Sequence, residues 1–277
     1  MSDFGKLSVV GTPIGNISDF SPRGVQTLRD ADYIACEDTR VTAKLLAKFD
    51  IKKPLLSYYK PKEHEKSEKI IALLLEGNNI ALVSDAGMPC VSDPGYILVK
   101  KCYERDIPVE VIPGANAAVC AVALSGLEAA RFAFEGFLPV EKKERVERLD
   151  EVKNLAYTLV FYEAPHKLKG TLADLAEALG SDRPAALCRE LTKLHEETIR
   201  GTLGELSALY ETTEPRGEYV IVVEGKAPEK AVFSVEEAAA VARRLISEGA
   251  KASDACKEAA KITGVSKREI YTIIVGE

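Results

Sequence analysis

Short apolar runs rich in β-branched side chains recur through the first 125 positions, and each breaks into glycine, proline or polar residues. Leu7-Ser8-Val9-Val10, Tyr33-Ile34-Ala35-Cys36, Ile80-Ala81-Leu82-Val83 and Val109-Glu110-Val111-Ile112 are too short for buried helices and predict strands. The stretches between them predict helices over 22–31, through Leu45 and Leu46, over 66–76 closed by Gly77, from Tyr96 to Cys102, and over 117–124. Ser21 followed by Pro22 starts the first of these. The last is apolar on nearly all sides and is expected to be buried all round. Regular alternation of strand and helix predicts a largely parallel sheet, with Ser125-Gly126-Leu127 as the hinge to the second half of the chain.

The second half keeps the α/β class with different local chemistry. Strands are expected over 132–138, 158–162, 185–188, 198–201 and 219–223, with a highly charged helix from about Lys142 to Val152. Glu214-Pro215-Arg216-Gly217-Glu218 is turn chemistry and is expected to bring a hairpin into this mixed sheet. From 231 onward the pattern is helical, over about 234–248, 253–263 and 266–275. Ser234 with Glu237 and Ser266 with Glu269 fit capping boxes, while Gly249 and Gly264 sit where helices end. Three domains are expected: 1–125 and 126–230, both α/β, and a small helical domain, 231–277. The last two helices have helix-turn-helix proportions. With Lys261, Lys267 and Arg268 nearby, RNA contact is one reading of that domain and a plain structural cap is the other.

One loop stands apart. Ser84-Asp85-Ala86-Gly87-Met88-Pro89-Cys90-Val91-Ser92-Asp93-Pro94-Gly95 leaves the strand 80–83 with a density of Gly and Pro that no sheet or helix sustains, so its amides are free to meet a ligand. Asp93 and Pro94 suit the N-cap and first turn of the next helix. Gly11 to Asn16 and Pro113 to Asn116 are two further strand-to-loop junctions, the place where α/β proteins bind ligands. Glu37-Asp38-Thr39-Arg40 leaves a fourth strand and reads equally as a solvated helix start, capped by Asp38 or Thr39, or as part of the site.

Composition narrows the chemistry. With 46% apolar and 29% charged residues, the chain is of the ordinary globular class, and no apolar run approaches a membrane span. The N-terminus lacks the apolar core of a signal peptide, and the six cysteines show no CxxC spacing, so reduced thiols and a cytoplasmic location are expected. A net charge of −6 argues against a protein coated in nucleic acid but leaves room for a local basic patch. There is no GxG, no GxxxxGK[ST] and no GxSxG, and the three histidines share no ligand spacing, so dinucleotide, phosphate-loop, acyl-serine and metal chemistry are all set aside. The remaining reading is a cleft between two α/β halves, lined by loop backbone and suited to a neutral or zwitterionic ligand.

Gly11-Thr12-Pro13-Ile14-Gly15-Asn16, Ser21-Pro22-Arg23, Glu37-Asp38-Thr39-Arg40, the loop 84–95, Ile112-Pro113-Gly114, Gly136-Phe137-Leu138-Pro139, Phe161 to His166 and Arg189-Glu190-Leu191-Thr192-Lys193 occur in that order. Together they resemble the ribosomal RNA small subunit methyltransferase I family, the 16S rRNA (cytidine-2'-O)-methyltransferases of the tetrapyrrole methylase superfamily. The resemblance runs from about residue 6 to the end. It implies two α/β domains with S-adenosylmethionine in the cleft between them, a homodimer, and 16S rRNA within the 30S subunit, in its decoding region, as substrate.

By motif, the resemblance places cofactor contacts at Gly11, Thr12 and Pro13, at Asp85, Ala86, Gly87, Met88, Val91 and Ser92, at Ala115 and Asn116, and at Phe161 and Leu191. Met88 stands where that family usually has Thr, and Ala115 where Pro is common. Methyl transfer to a ribose hydroxyl requires aligned reactants and a base for the hydroxyl proton. Glu37, Asp38 and Glu163 are the candidates for that base, with His166 behind them. Arg40, Arg189 and Lys193 are placed to meet RNA phosphates, as are Lys267 and Arg268 in the tail. A tetrapyrrole C-methylase and a non-catalytic S-adenosylmethionine-binding or ribosome-assembly module are the competing readings.

Overall fold

The first set of buried runs forms a wholly parallel sheet of β1 (Leu7–Val10), β2 (Tyr33–Cys36), β3 (Leu55–Ser57), β4 (Ile80–Val83) and β5 (Val109–Ile112), in the order β3-β2-β4-β1-β5. This is a computed structural model that describes residues 4–227 and 233–276. The crossovers carry helices α1 (Pro22–Asp30), α2 (Thr39–Ala47), α3 (Glu63–Leu75), α4 (Tyr96–Tyr103) and α5 (Ala117–Ser125). Every residue of β1 and β4 is buried, because helices cover both faces of a parallel sheet. One face packs Leu7, Ile80 and Leu82 on α3 and α4, and the other packs Val10, Ile34 and Ala81 on α1 and α2. The strand order brings the loops after β1, β4 and β5 side by side at the carboxyl edge, next to the exit of β2.

The second sheet has the order β6-β7-β10-β8-β9, built from β6 (Phe132–Phe137), β7 (Thr158–Glu163), β8 (Pro184–Arg189), β9 (Glu197–Thr202) and β10 (Tyr219–Val223). β6 and β7 are parallel, while β10 runs antiparallel to both β7 and β8. The hairpin is not at 214–218. It joins β8 to β9 through residues 190–196, and 213–218 instead leads from α8 (Leu203–Thr212) into β10. Two helices that the periodicity left unassigned, α7 (Leu168–Leu179) and α8, follow local signals: α7 buries Leu168, Leu172, Leu175 and Leu179 at helical spacing, and α8 opens with a reciprocal capping box between Thr202 and Glu205. The charged α6 (Lys142–Val152) buries Leu149 and Val152 and turns Arg145 toward α7.

α5 differs from expectation. It is buried on one face only, through Ala118, Ala121, Val122 and Ser125, while Val119, Ala123 and Leu124 stay exposed. Its buried face packs on Val160, Ala186, Cys188, Val220 and Val222 of the second sheet. The chain therefore passes into the second core before residue 117, ahead of the hinge expected at Ser125-Gly126-Leu127.

By compactness the chain divides into Met1–Lys226 and Ala227–Glu277, and the boundary expected at 230/231 lies outside the described residues. The second unit consists of α9 (Val235–Ser247), α10 (Ala252–Thr263) and α11 (Lys267–Val275), whose core of Ala238, Ala242, Cys256, Ala259 and Ile270 lets the helices approach closely. The Ser234–Glu237 capping box is complete. At Ser266 only half the box forms, because the Glu269 carboxylate takes the Ser266 hydroxyl instead of its amide. Gly264 closes α10 in the left-handed conformation, as expected. Among the described residues no helix is long and apolar enough to cross a membrane.

Candidate functional site

Two glycines set the geometry of the carboxyl edge. A Cβ on Gly11 would stand 2.7 Å from the Cα of Gly114, and one on Gly114 would meet Gly11 equally closely, so the loops after β1 and β5 touch backbone to backbone. The loop after β4 is stitched to them by Thr12, whose N–H donates to the Gly87 carbonyl at 2.9 Å while its own carbonyl accepts from Gly87 N–H at 3.2 Å. The Thr12 hydroxyl points at the Ser84 carbonyl at 3.3 Å. Thr12 is buried and works as a strut behind the site, not as part of its lining.

The loop 84–95 does not enter its helix as its sequence suggests. The residue before α4 is Gly95, at φ +144°, and no side chain caps the helix. Asp93 lines the cleft instead, and burial pushes its carboxyl up. Cys90 (φ +71°) and Ser92 (φ +65°) sit in the left-handed region, and so do Glu190 (φ +51°) and Thr192 (φ +65°) in the β8–β9 loop. Each such residue costs about 1–2 kcal/mol, and such strain collects at functional sites. Side-chain hydrogen bonds hold it: Lys60 Nζ donates to the Ser92 carbonyl (2.6 Å), Gly95 N–H and the Tyr58 hydroxyl donate to Glu63 Oε1 (2.7 and 2.9 Å), and Thr192 N–H donates to Glu196 Oε2 (2.6 Å).

These loops enclose a cleft of about 450 Å³ between the two sheets, within the range of small-molecule sites. Asn16 N–H donates to Thr192 Oγ1 (3.0 Å) at one end, and a Cβ on Gly136 would lie 3.2 Å from Ser92 Oγ at another point where the halves meet. Of the expected cofactor positions, Asp85, Ala86, Gly87, Met88, Val91, Ser92, Asn116 and Leu191 line the cleft. Gly11, Thr12, Pro13 and Ala115 stand outside the lining. Phe161 is turned away, its ring fully buried in the core on the far face of the second sheet, because side chains alternate along a strand. Its neighbour Tyr162 takes the cleft, with its hydroxyl accepting from Ala118 N–H at 3.1 Å and its ring set edge-on to Phe134 and Phe137. Alternation along β7 was the signal that could have found Tyr162.

The three candidate bases fall in different surroundings. Glu163 is buried at the end of β7 and lines the cleft. Its Oε1 accepts from Ala164 N–H (2.8 Å) and its Oε2 from the Thr171 hydroxyl (2.5 Å), which accepts in turn from Arg145 Nη2 (2.7 Å). Each carboxylate oxygen keeps acceptor capacity. Glu37 stands outside the lining, its carboxyl pushed up by burial and then by the charges of Asp93 and Asp85. Asp38 caps α2, accepting from Arg40 N–H at 2.8 Å, and binds the Arg40 guanidinium through both oxygens. That pairing lowers its carboxyl from 3.8 to about 2, a poor pKa for a base at neutral pH.

A depressed carboxylate stabilises the fold above its unfolded pKa and loses that contribution as pH falls through the folded one. Asp38→Ala is therefore expected to melt below the wild type at pH 7, with the gap narrowing as pH drops from 3.8 toward 2, while catalytic turnover stays at the wild-type level. Melting curves across that range, paired with an activity assay, check it. A lost turnover at unchanged melting temperature would return Asp38 to the chemistry.

The rim cations are neutralised. Arg189 Nη2 pairs with Glu197 (3.0 Å), and Lys193 Nζ lies between Glu190 (3.0 Å) and Glu218 (2.9 Å). In the helical unit Lys267 Nζ donates to Ser253 Oγ (3.1 Å), and Arg268 is exposed.

Residues 6–207 match the tetrapyrrole (corrin/porphyrin) methylases, and residues 234–274 match the RsmI C-terminal HTH domain. The chain is 46% identical over 275 residues to the ribosomal RNA small subunit methyltransferase I of Halalkalibacterium halodurans, covering 98% of this chain and 95% of that protein. It is 45% identical over 276 residues to the Bacillus subtilis protein of the same name, covering 98% and 94%. Among solved structures, diphthine synthase superposes with a TM-score of 0.63 at 16% identity, over 80% of this chain and 90% of that one. The uroporphyrin-III C-methyl transferase of Thermus thermophilus complexed with S-adenyl homocysteine superposes with a TM-score of 0.57 at 18% identity, over 79% and 97%. These two likenesses bear on the fold.

Proposed function

The chain belongs to the tetrapyrrole (corrin/porphyrin) methylase family, in its ribosomal RNA small subunit methyltransferase I branch, and from that premise we propose an S-adenosylmethionine-dependent rRNA methyltransferase that modifies a cytidine 2'-hydroxyl in the decoding region of 16S rRNA. The observation that carries the reading is the cleft itself. Its walls combine apolar Ile14, Met88, Val91 and Leu191 with the acidic residues Asp85 and Asp93, and Glu163 borders it at the end of β7. Apolar walls suit a nucleoside, and the carboxylates complement a sulfonium charge. The cation that lines it, Lys193, is already paired twice, which disfavours a polyphosphate. The residues present thus fit S-adenosylmethionine.

The bound cofactor supplies an electrophilic methyl group. The Gly87 backbone, Met88, Val91 and Leu191, which line the cleft, would hold the cofactor. Of the three candidates only Glu163 borders the cleft, at the end of β7, and although its carboxylate leaves the strand on the Phe161 side, toward Thr171, in this reading it turns to receive the proton of the ribose hydroxyl as the O–C bond forms and the sulfonium S–C bond breaks. Thr171 and Arg145 hold its carboxylate in place. The apolar face that α5 leaves uncovered at Val119, Ala123 and Leu124 supports a homodimer, and an assembled 30S substrate would place the enzyme in the cytoplasm.

Transfer of labelled methyl from S-adenosylmethionine tests the reading. Label on the ribose of a 16S cytidine in 30S subunits is the expected result. Label on a porphyrinogen, or none on either acceptor with cofactor bound, would replace it by a C-methylase or by a binding module.

The helical unit contributes phosphate contacts in this reading. Lys267→Glu with Arg268→Glu is expected to leave cofactor affinity unchanged and to reduce affinity for 30S subunits, flattening its salt dependence by about 1–2 in log–log slope. Equal slopes for variant and wild type would reduce the unit to a structural cap.

A further inference from the structure

Residues 39–62 carry seven basic side chains against one acid, Asp50, in a chain whose net charge is −6. The segment comprises α2, the outer strand β3 and the turn that enters α3, so this excess of positive charge lies along one edge of the first sheet. Arg40, Lys44 and Lys48 follow one another at i, i+4 spacing, on one helix face and about 6 Å apart along the axis. All three are exposed, as is Lys52 just beyond the helix.

Their partners set these cations apart from the others near the cleft. Arg189 and Lys193 are held by carboxylates. Among the described residues no carboxylate pairs with Lys44, Lys48 or Lys52, and of the stripe only Arg40 has an acidic partner, Asp38. A row of unpaired like charges repels itself and is relieved by a counter-charge of matching length. Both ends of the segment are also tied to the cleft loop. Asp38 N–H donates to Asp85 Oδ1 (3.1 Å), and Lys60 Nζ donates to the Ser92 carbonyl (2.6 Å).

We infer that this basic edge binds the ribose–phosphate backbone of the RNA substrate, with Lys52, Lys48 and Lys44 holding successive phosphates so that the strand reaches the cleft loop beside Arg40. The inference rests on the RNA reading above and moves phosphate binding from the rim of the second sheet to the edge of the first. Phosphate contacts of this kind set register and orientation, and they leave sequence to be read elsewhere.

The test is Lys44→Gln, Lys48→Gln and Lys52→Gln combined, three exposed side chains that pair with no carboxylate among the described residues, so that the melting temperature should hold. Binding to 30S subunits is measured by itself, apart from turnover, over a series of salt concentrations, with cofactor affinity followed by calorimetry. Affinity for subunits should fall by at least about tenfold at roughly 0.1 M salt, and the slope of log K against log salt should flatten by about 2, with cofactor affinity unchanged. The corresponding triple arginine variant should bind as the wild type does. A glutamine variant with the wild-type slope would overturn the inference, and so would loss of binding to anionic vesicles with RNA binding intact. A wild type that binds subunits without methylating them would overturn the functional reading and leave the basic edge standing.

Discussion

Glu163→Gln is expected to lower turnover at saturating substrate by about 10²–10⁴-fold, the usual contribution of a positioned general base, while cofactor affinity stays within a few-fold of the wild type. The substitution keeps the shape of the side chain and removes its capacity to take a proton. The cost to the fold follows from the two donors it faces. Ala164 N–H and the Thr171 hydroxyl each give a hydrogen to one carboxylate oxygen, and an amide can satisfy only one of them as an acceptor. The other donor is left short unless the Thr171 hydroxyl rotates to accept the amide, at a cost of at most about 1–3 kcal/mol. A modest drop in melting temperature with a large drop in kcat is the expected pair of results. A variant that turns over at the wild-type rate would remove Glu163 from the chemistry and leave Glu37 and Asp93, whose carboxyls burial holds high, as the acids to test.

Gly87→Arg should abolish measurable cofactor binding, a loss of two or more orders of magnitude in affinity, or on the order of 3 kcal/mol. Gly87 adopts φ +81°, and a Cβ there would meet Ile14 Cγ2 at 3.3 Å and the Ala115 carbonyl at 3.5 Å, so a side chain has no unstrained place beside the loop. The rest of an arginine would occupy the cleft that Gly87 lines. Strain of about 1–2 kcal/mol is the expected loss in stability, too little to unfold a domain with this core. Gly87→Ala separates the two effects, since it carries the backbone strain with little of the bulk. Calorimetry showing wild-type affinity in a folded Gly87→Arg protein would move the cofactor away from this cleft.

Much of the frame was legible in the residues. Runs such as Leu7 to Val10 and Ile80 to Val83 can be nothing but short buried strands, and the helices between them dictate a parallel sheet whose loops gather at one edge. The motif loops at 11–16, 84–95 and 113–116 therefore announce a site by their composition alone. Capping signals hold where they are strong, as at Ser234 with Glu237. The charge excess in 39–62 is equally present in the sequence, but the whole-chain balance of −6 masks it.

Other features depend on contacts that no local pattern encodes. Asp93 has the preferences of a helix cap, yet it is part-buried in the cleft wall, and Gly95 opens the helix instead. α5 looks wholly buried, yet one of its faces has the second sheet to pack on while Val119 and Leu124 stay exposed among the described residues. Arg189 and Lys193 read as free cations, but the fold sets Glu197, Glu190 and Glu218 against them. Glu163 became a held carboxylate only when α6 and α7 brought Arg145 and Thr171 to it. The physical reason is one of range. Strand, helix and turn preferences act over a few neighbouring residues, so the sequence determined the elements and the edge where the site lies, while burial, pairing and the direction of each functional side chain arise from residues far apart in the chain, which only the tertiary structure brings together.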